Sequence, residues 1–143
     1  MKRILMLAFA AVLSMSVSAC QDNTSPGAVL AGTYNLRSVN NHPVPVVLDA
    51  NPDGTTELLG GYIRLDRNGN YTDLVTLRYT PTGGVQGQPY DDEIDGTWSL
   101  SGDQLQLTDV QDPYNPYFAT VSGSNLVFSN YASGTTYTIV YSK

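Results

Sequence analysis

Turn-forming residues interrupt this chain at short intervals, and this feature constrains its fold more than any other. From Leu30 onward, Gly, Pro, Asn or Asp breaks the sequence about every 8–12 residues. No window of about a dozen residues places apolar side chains at helical spacing. Such spacing is typical of all-β sandwiches and barrels. We therefore expect residues 30–143 to form one domain of short antiparallel strands.

Nine segments have the composition of strands. They are 32–39, 44–49, 60–66, 70–80, 93–101, 104–110, 117–123, 125–131 and 135–142. Asn68-Gly69 separates two of them, and this dipeptide is the strongest local signal for a hairpin. An open sheet of so many strands would leave two exposed edges, which closure into a barrel removes. The sequence therefore predicts an all-β fold, a small antiparallel up-and-down β-barrel of eight or nine strands.

Alternate residues of each barrel strand point into the interior, where they fill it or line a cavity. The candidates for contact with a ligand inside the barrel are Tyr34, Leu36, Trp98, Phe118, Phe128 and Tyr137. For Trp98, in the middle of an alternating strand, core packing is the favoured interpretation. An eight-stranded barrel can be filled by side chains or hold one small ligand, and the sequence leaves both open.

The amino-terminal segment has the layout of a secretory signal. Lys2 and Arg3 precede an uncharged, mainly apolar run over residues 4–19. The run is shorter than the about 20 residues that a membrane-spanning helix needs. Its end, Val17-Ser18-Ala19-Cys20, resembles a bacterial lipobox. We therefore expect residues 1–19 to be a lipoprotein signal peptide.

Cys20 is the single cysteine of the chain. The lipobox resemblance implies that Cys20 becomes the first residue of the mature protein and carries diacylglycerol. The alternative is an ordinary signal and a spare thiol, which would be unusual in an oxidising compartment. We expect residues 20–29 to be the lipidated cysteine and a short polar tether. In enteric bacteria, an Asp directly after the lipidated cysteine resembles a signal for retention in the inner membrane. Gln21 stands at that position here, which favours the outer membrane if the cell is Gram-negative.

The charge of the chain excludes some partners. The chain has thirteen Asp and Glu against seven Lys and Arg, of which Lys2 and Arg3 leave with the signal. Nucleic acids and anionic lipid surfaces attract proteins through positive patches. We therefore expect no nucleic-acid partner, and contact with the membrane through the lipid on Cys20.

Three features could suggest chemistry, and each has a simpler interpretation. Residues 49–54 open like a calcium loop, but Gly60 stands where an EF-hand has its bidentate Glu. The acids within 91–95 could act as a catalytic pair, but such runs more often form a solvated surface. His42 is the only histidine, so no second His can help it form a zinc site. We predict no catalytic residues, no metal and no cofactor.

Three segments resemble the bacterial lipocalin-like lipoprotein domains. They are GTYNLRSVNNHPVPVVL (32–48), GGYIRLDRNGNYTDL (60–74) and GTWSLSGDQLQL (96–107). They are similar to that family's opening strand, its Pro-containing turn and two of its hairpins. The chain departs from the pattern at Asn41, where Gly is frequent, and in its long 80–92 loop. The resemblance implies a small lipocalin-like barrel in a secreted lipoprotein, from a family mostly without assigned function.

Together these features predict a membrane-anchored, non-enzymatic lipoprotein of the bacterial cell envelope, with its domain in the periplasm or at the cell surface. Its barrel would bind a small hydrophobic ligand or an envelope component. The alternative is a structural or protein–protein interaction module with a filled barrel and a binding patch near the 80–92 and 111–117 loops. A third and less favoured hypothesis is a hydrolase that uses the acids of 91–95. It would require a carboxyl group with a raised pKa inside a cleft.

Overall fold

The computed structural model describes residues 26–132 and 135–143. The predicted signal peptide, Cys20 and the first part of the predicted tether lie outside these residues. The elements in this range are α1 (Pro26–Leu30), β1 (Gly32–Val39), β2 (His42–Pro43), β3 (Val46–Asn51), β4 (Gly54–Leu65), β5 (Asn70–Pro81), β6 (Tyr90–Ser101), β7 (Gln104–Asp109), β8 (Tyr117–Ser122), β9 (Asn125–Ala132) and β10 (Thr135–Ser142). Over the same residues, no helix is both long enough and apolar enough to cross a membrane.

Eight of these strands close into an antiparallel barrel. The order around the barrel is β1-β10-β9-β8-β7-β6-β5-β4, and β4 pairs back onto β1. Tyr34 lies opposite Ile63 in this closing pair. The short strands β2 and β3 extend β1 and β4 beyond the closed part. The predicted small antiparallel barrel is therefore confirmed.

The turns form where the sequence signals them. Gly69 has a φ of 88°, and the Asp66 N–H donates to the Asn70 carbonyl at 2.8 Å across the β4–β5 hairpin. Asn40 and Asn41 have φ of 50° and 64° in the β1–β2 turn. Asn accepts this left-handed conformation more readily than most residues, so the departure at Asn41 leaves the turn intact.

The helix α1 packs against one end of the barrel, which we call the α1 end (Leu30, Tyr34, Leu100, Val121 and Lys143). The Tyr34 hydroxyl donates to the Leu30 carbonyl at 2.7 Å, and Leu30 is buried. Lys143 Nζ donates to the carbonyls of Val29 and Ala31, both at 3.0 Å, and lies 4.9 Å from the Tyr34 ring centroid. Residues 26–30, mostly assigned to the tether by the sequence, thus pack onto the folded domain.

The core consists of inward-facing residues of the barrel strands together with Leu30 of α1. Its buried members are Leu30, Tyr34, Leu36, Val39, Leu58, Ile63, Leu65, Tyr71, Leu105, Leu107, Ala119, Leu126, Phe128 and Tyr141. Tyr34, Leu36 and Phe128, which the sequence predicted to face the interior, are among them, because neighbouring residues of a strand point to opposite faces. These buried residues all lie within the described part of the chain, from Leu30 to Tyr141.

The prediction that Phe118 lines the interior is wrong. Phe118 pairs with Gln106 and is 43% exposed. Its neighbour Ala119 is buried and lies opposite the buried Leu105. Because Ala119 points inward, Phe118 must point to the outer surface. Tyr117, on the other side of Phe118, is the aromatic residue of β8 that points into the barrel.

Two adjacent glycines of β4 provide a matched test of the barrel packing. A Cβ on Gly61 would lie 2.4 Å from the Leu74 carbonyl oxygen, whereas a Cβ on Gly60 would meet nothing within 4 Å. We expect Gly61→Ala to lower the free energy of unfolding by about 1–3 kcal/mol, because the backbone of β5 must move. Gly60→Ala should change it by less than about 1 kcal/mol. Urea denaturation compares the two variants, and equal losses would contradict this account of the β4–β5 contact.

Candidate functional site

A cavity of about 150 Å³ lies inside the barrel and shares no residue with the α1 end. It is lined by Tyr71, Asp73, Ile94, Leu107, Tyr117, Phe128, Ile139 and Tyr141. An apolar cavity of about this volume can hold benzene in another protein. Sites for drug-sized ligands measure about 300–1,000 Å³. The cavity therefore fits a small ring or a short chain.

The walls of the cavity are mainly apolar. Ile94, Leu107, Phe128 and Ile139 come from four different strands and surround the space. Phe128 and Tyr141 meet edge to face, with ring centroids 5.7 Å apart and planes at 71°. Aromatic pairs favour this arrangement, which holds both rings in place. The cavity thus has a defined apolar wall that a small ligand can contact.

Asp73 is the charged side chain among these lining residues. It lies on β5 opposite Ile63 of β4 and Ile94 of β6. Burial raises the pKa of the Asp73 carboxyl from 3.8 to about 6, and the charge of Asp92 adds to this effect. A hydrogen bond with the Tyr141 hydroxyl acts in the opposite direction. Near neutral pH, Asp73 is therefore mainly a carboxylate inside the barrel.

Two polar atoms of the cavity lack hydrogen-bond partners. Asp73 Oδ1 and the Tyr71 hydroxyl oxygen are buried and bond to no residue that the structure describes. Buried polar atoms almost always have a partner, so each exception calls for an explanation. Burial, followed by the charges of Asp109 and Asp73, raises the pKa of Tyr71, so its hydroxyl stays protonated. A ligand inside the cavity could bond to both atoms.

The structure brings one of the six predicted ligand-lining residues into the cavity, namely Phe128. Tyr34 and Leu36 are buried in the core, and Tyr34 uses its hydroxyl to bind the carbonyl of α1. Trp98 and Tyr137 are partly buried against the core. The indole Nε1 of Trp98 donates to the Asp66 carbonyl at 2.9 Å, which agrees with core packing as the favoured role of Trp98.

Sequence reasoning missed Asp73, although the sequence contains a signal for it. Val75 and Leu77 of the same strand are apolar residues that alternation directs inward, and both pack against the core. Asp73 precedes Val75 by two residues on the same strand, and residues two apart on a strand share a face. A charged residue on an otherwise apolar face of a barrel strand therefore indicates an interior carboxyl group.

The acids of 91–95 and the turn at 49–54 make side-chain hydrogen bonds to nearby residues. Asp91 accepts a hydrogen bond from the Thr76 hydroxyl at 2.7 Å, and Asp95 accepts one from Thr72 at 2.8 Å. In the 49–54 turn, the Asn51 side chain accepts from the backbone N–H groups of residues 53 and 54. Among the described residues, no group of three or more His, Cys, Asp or Glu side chains is placed to hold a metal ion.

No protein-family model matches this chain, and no curated protein matches it. The resemblance to lipocalin-like lipoprotein domains therefore depends on the three segments quoted above. A function for the chain has to be inferred from its barrel, its cavity and its amino-terminal sequence.

Proposed function

We propose that the protein is a lipid-anchored binding protein of the bacterial cell envelope, and that its barrel cavity takes a small ligand with an apolar body. The observation that carries this proposal is the cavity of about 150 Å³, with apolar walls and two buried polar atoms that lack partners. A ligand would cover apolar surface and satisfy those atoms, and both changes favour binding. The proposed function is binding without catalysis, so we assign no bond-breaking step to any residue.

The anchoring part of the proposal rests on the lipobox-like sequence at Cys20. Residues 21–25 separate Cys20 from α1, and even a fully extended chain of this length spans only about 20 Å. A lipid on Cys20 would therefore hold the α1 end near the membrane.

The binding part can be tested with benzyl alcohol, a neutral ring-sized probe. The sample is the non-acylated mature chain, residues 20–143 with Cys20→Ser, because the described core lies within residues 26–143. We expect benzyl alcohol to raise the melting temperature of this chain by mass action. Ile94→Phe should fill part of the cavity and abolish the increase.

Leu100→Phe is the matched control for this experiment. Leu100 lies on the same strand as Ile94 and is also partly buried, but it belongs to the α1 end. The Leu100→Phe variant should keep its response to benzyl alcohol. A parent chain with no response at millimolar probe, or equal responses in both variants, would contradict binding in this cavity.

A second candidate function is an interaction module of the envelope, and one surface favours it. Val110, Tyr114 and Phe118 are large apolar or aromatic residues that are 69%, 91% and 43% exposed. They lie in or next to the β7–β8 connection, close to the 111–117 loop where the sequence predicts a patch. Exposed aromatic residues are frequent in protein interfaces. Under this function, Tyr114→Ser would weaken capture of an envelope protein while Ile94→Phe would not.

A further inference from the structure

We infer that the barrel cavity selects small organic cations: amines whose ammonium group pairs with Asp73 and whose apolar part is about the size of a benzene ring. The inference rests on the proposed binding function and names its ligand class. Three observations support it, namely the charge inside the barrel, the unpartnered acceptor atoms and the size of the cavity.

Asp73 has no cationic partner in the described part of the chain. No Lys or Arg side chain is among the residues that line the cavity. Arg78 pairs with Glu57 at 2.9 Å, and Arg64 lies 3.5 Å from Asp66, both away from these lining residues. The Asp73 side chain is partly buried and its Oδ1 is fully buried. A carboxylate held away from water without a counter-ion is costly. A ligand that brings its own positive charge would therefore gain more from Asp73 than a neutral ligand.

The other ionisable groups around the cavity add negative charge or none. Asp92 acts on Asp73, while Asp109 and Asp95 act on Tyr71, and each carboxylate raises the pKa of the group it faces. The remaining groups are the hydroxyls of Tyr71, Tyr117 and Tyr141, which line the cavity. The charged groups that act on Asp73 and Tyr71 are thus all acidic, and their field disfavours anions as it favours cations.

The hydrogen-bonding pattern also fits an ammonium group. An ammonium group has three donors and no acceptor. Asp73 Oδ1 and the Tyr71 hydroxyl oxygen can both accept, and neither has a partner among the described residues. The Tyr141 hydroxyl group lines the same cavity as Asp73. An ammonium group could therefore donate to both free acceptors.

The size of the cavity limits the apolar part of the ligand. A volume of about 150 Å³ with apolar walls suits one aromatic ring or a short branched chain. The ring of Phe128 in the wall would contact that part directly. Benzylamine combines this ring size with an ammonium group. Benzyl alcohol and benzoate keep the ring and replace the head group by a neutral and an anionic one.

Isothermal titration of these three probes tests the inference on the same non-acylated chain near neutral pH. We expect benzylamine to bind at least about ten-fold more tightly than benzyl alcohol or benzoate, because of its charged hydrogen bonds. Asp73→Asn should weaken benzylamine by about ten-fold or more and reduce its preference over benzyl alcohol to less than about three-fold. Asp91→Asn, an exposed acid on the same hairpin, should leave all three affinities as they are.

The possible outcomes separate the inference from the proposed function. Equal affinities of benzylamine and benzyl alcohol, or an affinity for benzylamine that Asp73→Asn leaves unchanged, would overturn the cation inference while the binding function stands. If none of the probes binds at millimolar concentration, both are overturned. The comparison of the three probes on the parent chain decides the inference even if the Asp73→Asn variant fails to fold.

Discussion

Near neutral pH, the Asp73→Asn variant should be more stable than the parent chain, by on the order of 3 kcal/mol in the free energy of unfolding. Burial raises the pKa of Asp73 from 3.8 to about 6 in the folded state. A shift of this size destabilises the ionised folded state by about 1.4 kcal/mol for each pH unit. Asparagine has nearly the same shape and no charge, so it removes this cost and can still accept a hydrogen bond from Tyr141.

The effect has a defined pH window. The folded state holds the Asp73 proton more tightly than the unfolded state does. Protonated Asp73 therefore adds no cost to the free energy of unfolding below about pH 4. Stability from this group is lost as the pH rises from about 4 to about 6. The difference between the variant and the parent chain should therefore be small near pH 3.5 and largest above about pH 6.5. Other acids titrate in both chains, so this difference isolates Asp73.

Urea denaturation near pH 4 and near pH 7.5 measures this difference, as free energies obtained by linear extrapolation. Asp91→Asn is the matched control, because Asp91 is exposed and bonds to Thr76 on the outer face of the same strand pair. It should change stability by less than about 0.5 kcal/mol at both pH values. A parent chain as stable as the Asp73→Asn variant near neutral pH would show that Asp73 is not a buried, uncompensated carboxylate.

Cys20→Ser should move nearly all of the protein from the membrane fraction to the soluble fraction. The proposed lipid supplies the anchor, and each buried methylene contributes about 0.8 kcal/mol. One acyl chain binds only marginally, whereas two bind stably. Detergent phase partitioning and labelling with radioactive palmitate measure the change.

A control variant separates lipidation at the lipobox from acylation of any exposed thiol. The double variant Cys20→Ser, Thr24→Cys moves the thiol four positions along the chain. It should stay soluble and unlabelled, because Val17-Ser18-Ala19 no longer precedes the cysteine. Palmitate labelling that persists in Cys20→Ser would contradict lipidation at this residue.

Local signals predicted most of the strands. Gly32–Val39 and Thr135–Ser142 form with the predicted bounds, and Asn68-Gly69 forms the predicted hairpin. Closure could be expected because it removes exposed edges, but the strands that meet could not be identified. The closing pair joins β1 to β4 across the intervening β2 and β3. This pairing of strands that are distant in sequence requires β2 and β3 to leave the space between β1 and β4. The spacing of residues in the sequence does not specify that.

The candidate site was harder to predict than the fold because it depends on which residues of each strand face inward. In β8, Tyr117 and Phe118 are adjacent aromatics, so composition does not indicate which one is inside. The burial of Ala119 decides for Tyr117. Asp73 could have been identified from its parity with Val75, but its missing hydrogen-bond partner depends on side chains from other strands. The cavity volume likewise depends on packing between strands that are distant in sequence.

Methyl NMR of the non-acylated chain during titration with benzylamine tests the central claim most directly, because it locates the bound ligand. Ile94, Leu107 and Ile139 line the cavity. If benzylamine binds there, we expect their methyl signals to shift in a saturable way. The methyl signals of Leu100 and Val121 at the α1 end should shift little. Absence of saturable shifts at the three cavity residues, or shifts confined to exposed residues such as Val110, would contradict a ligand site inside the barrel.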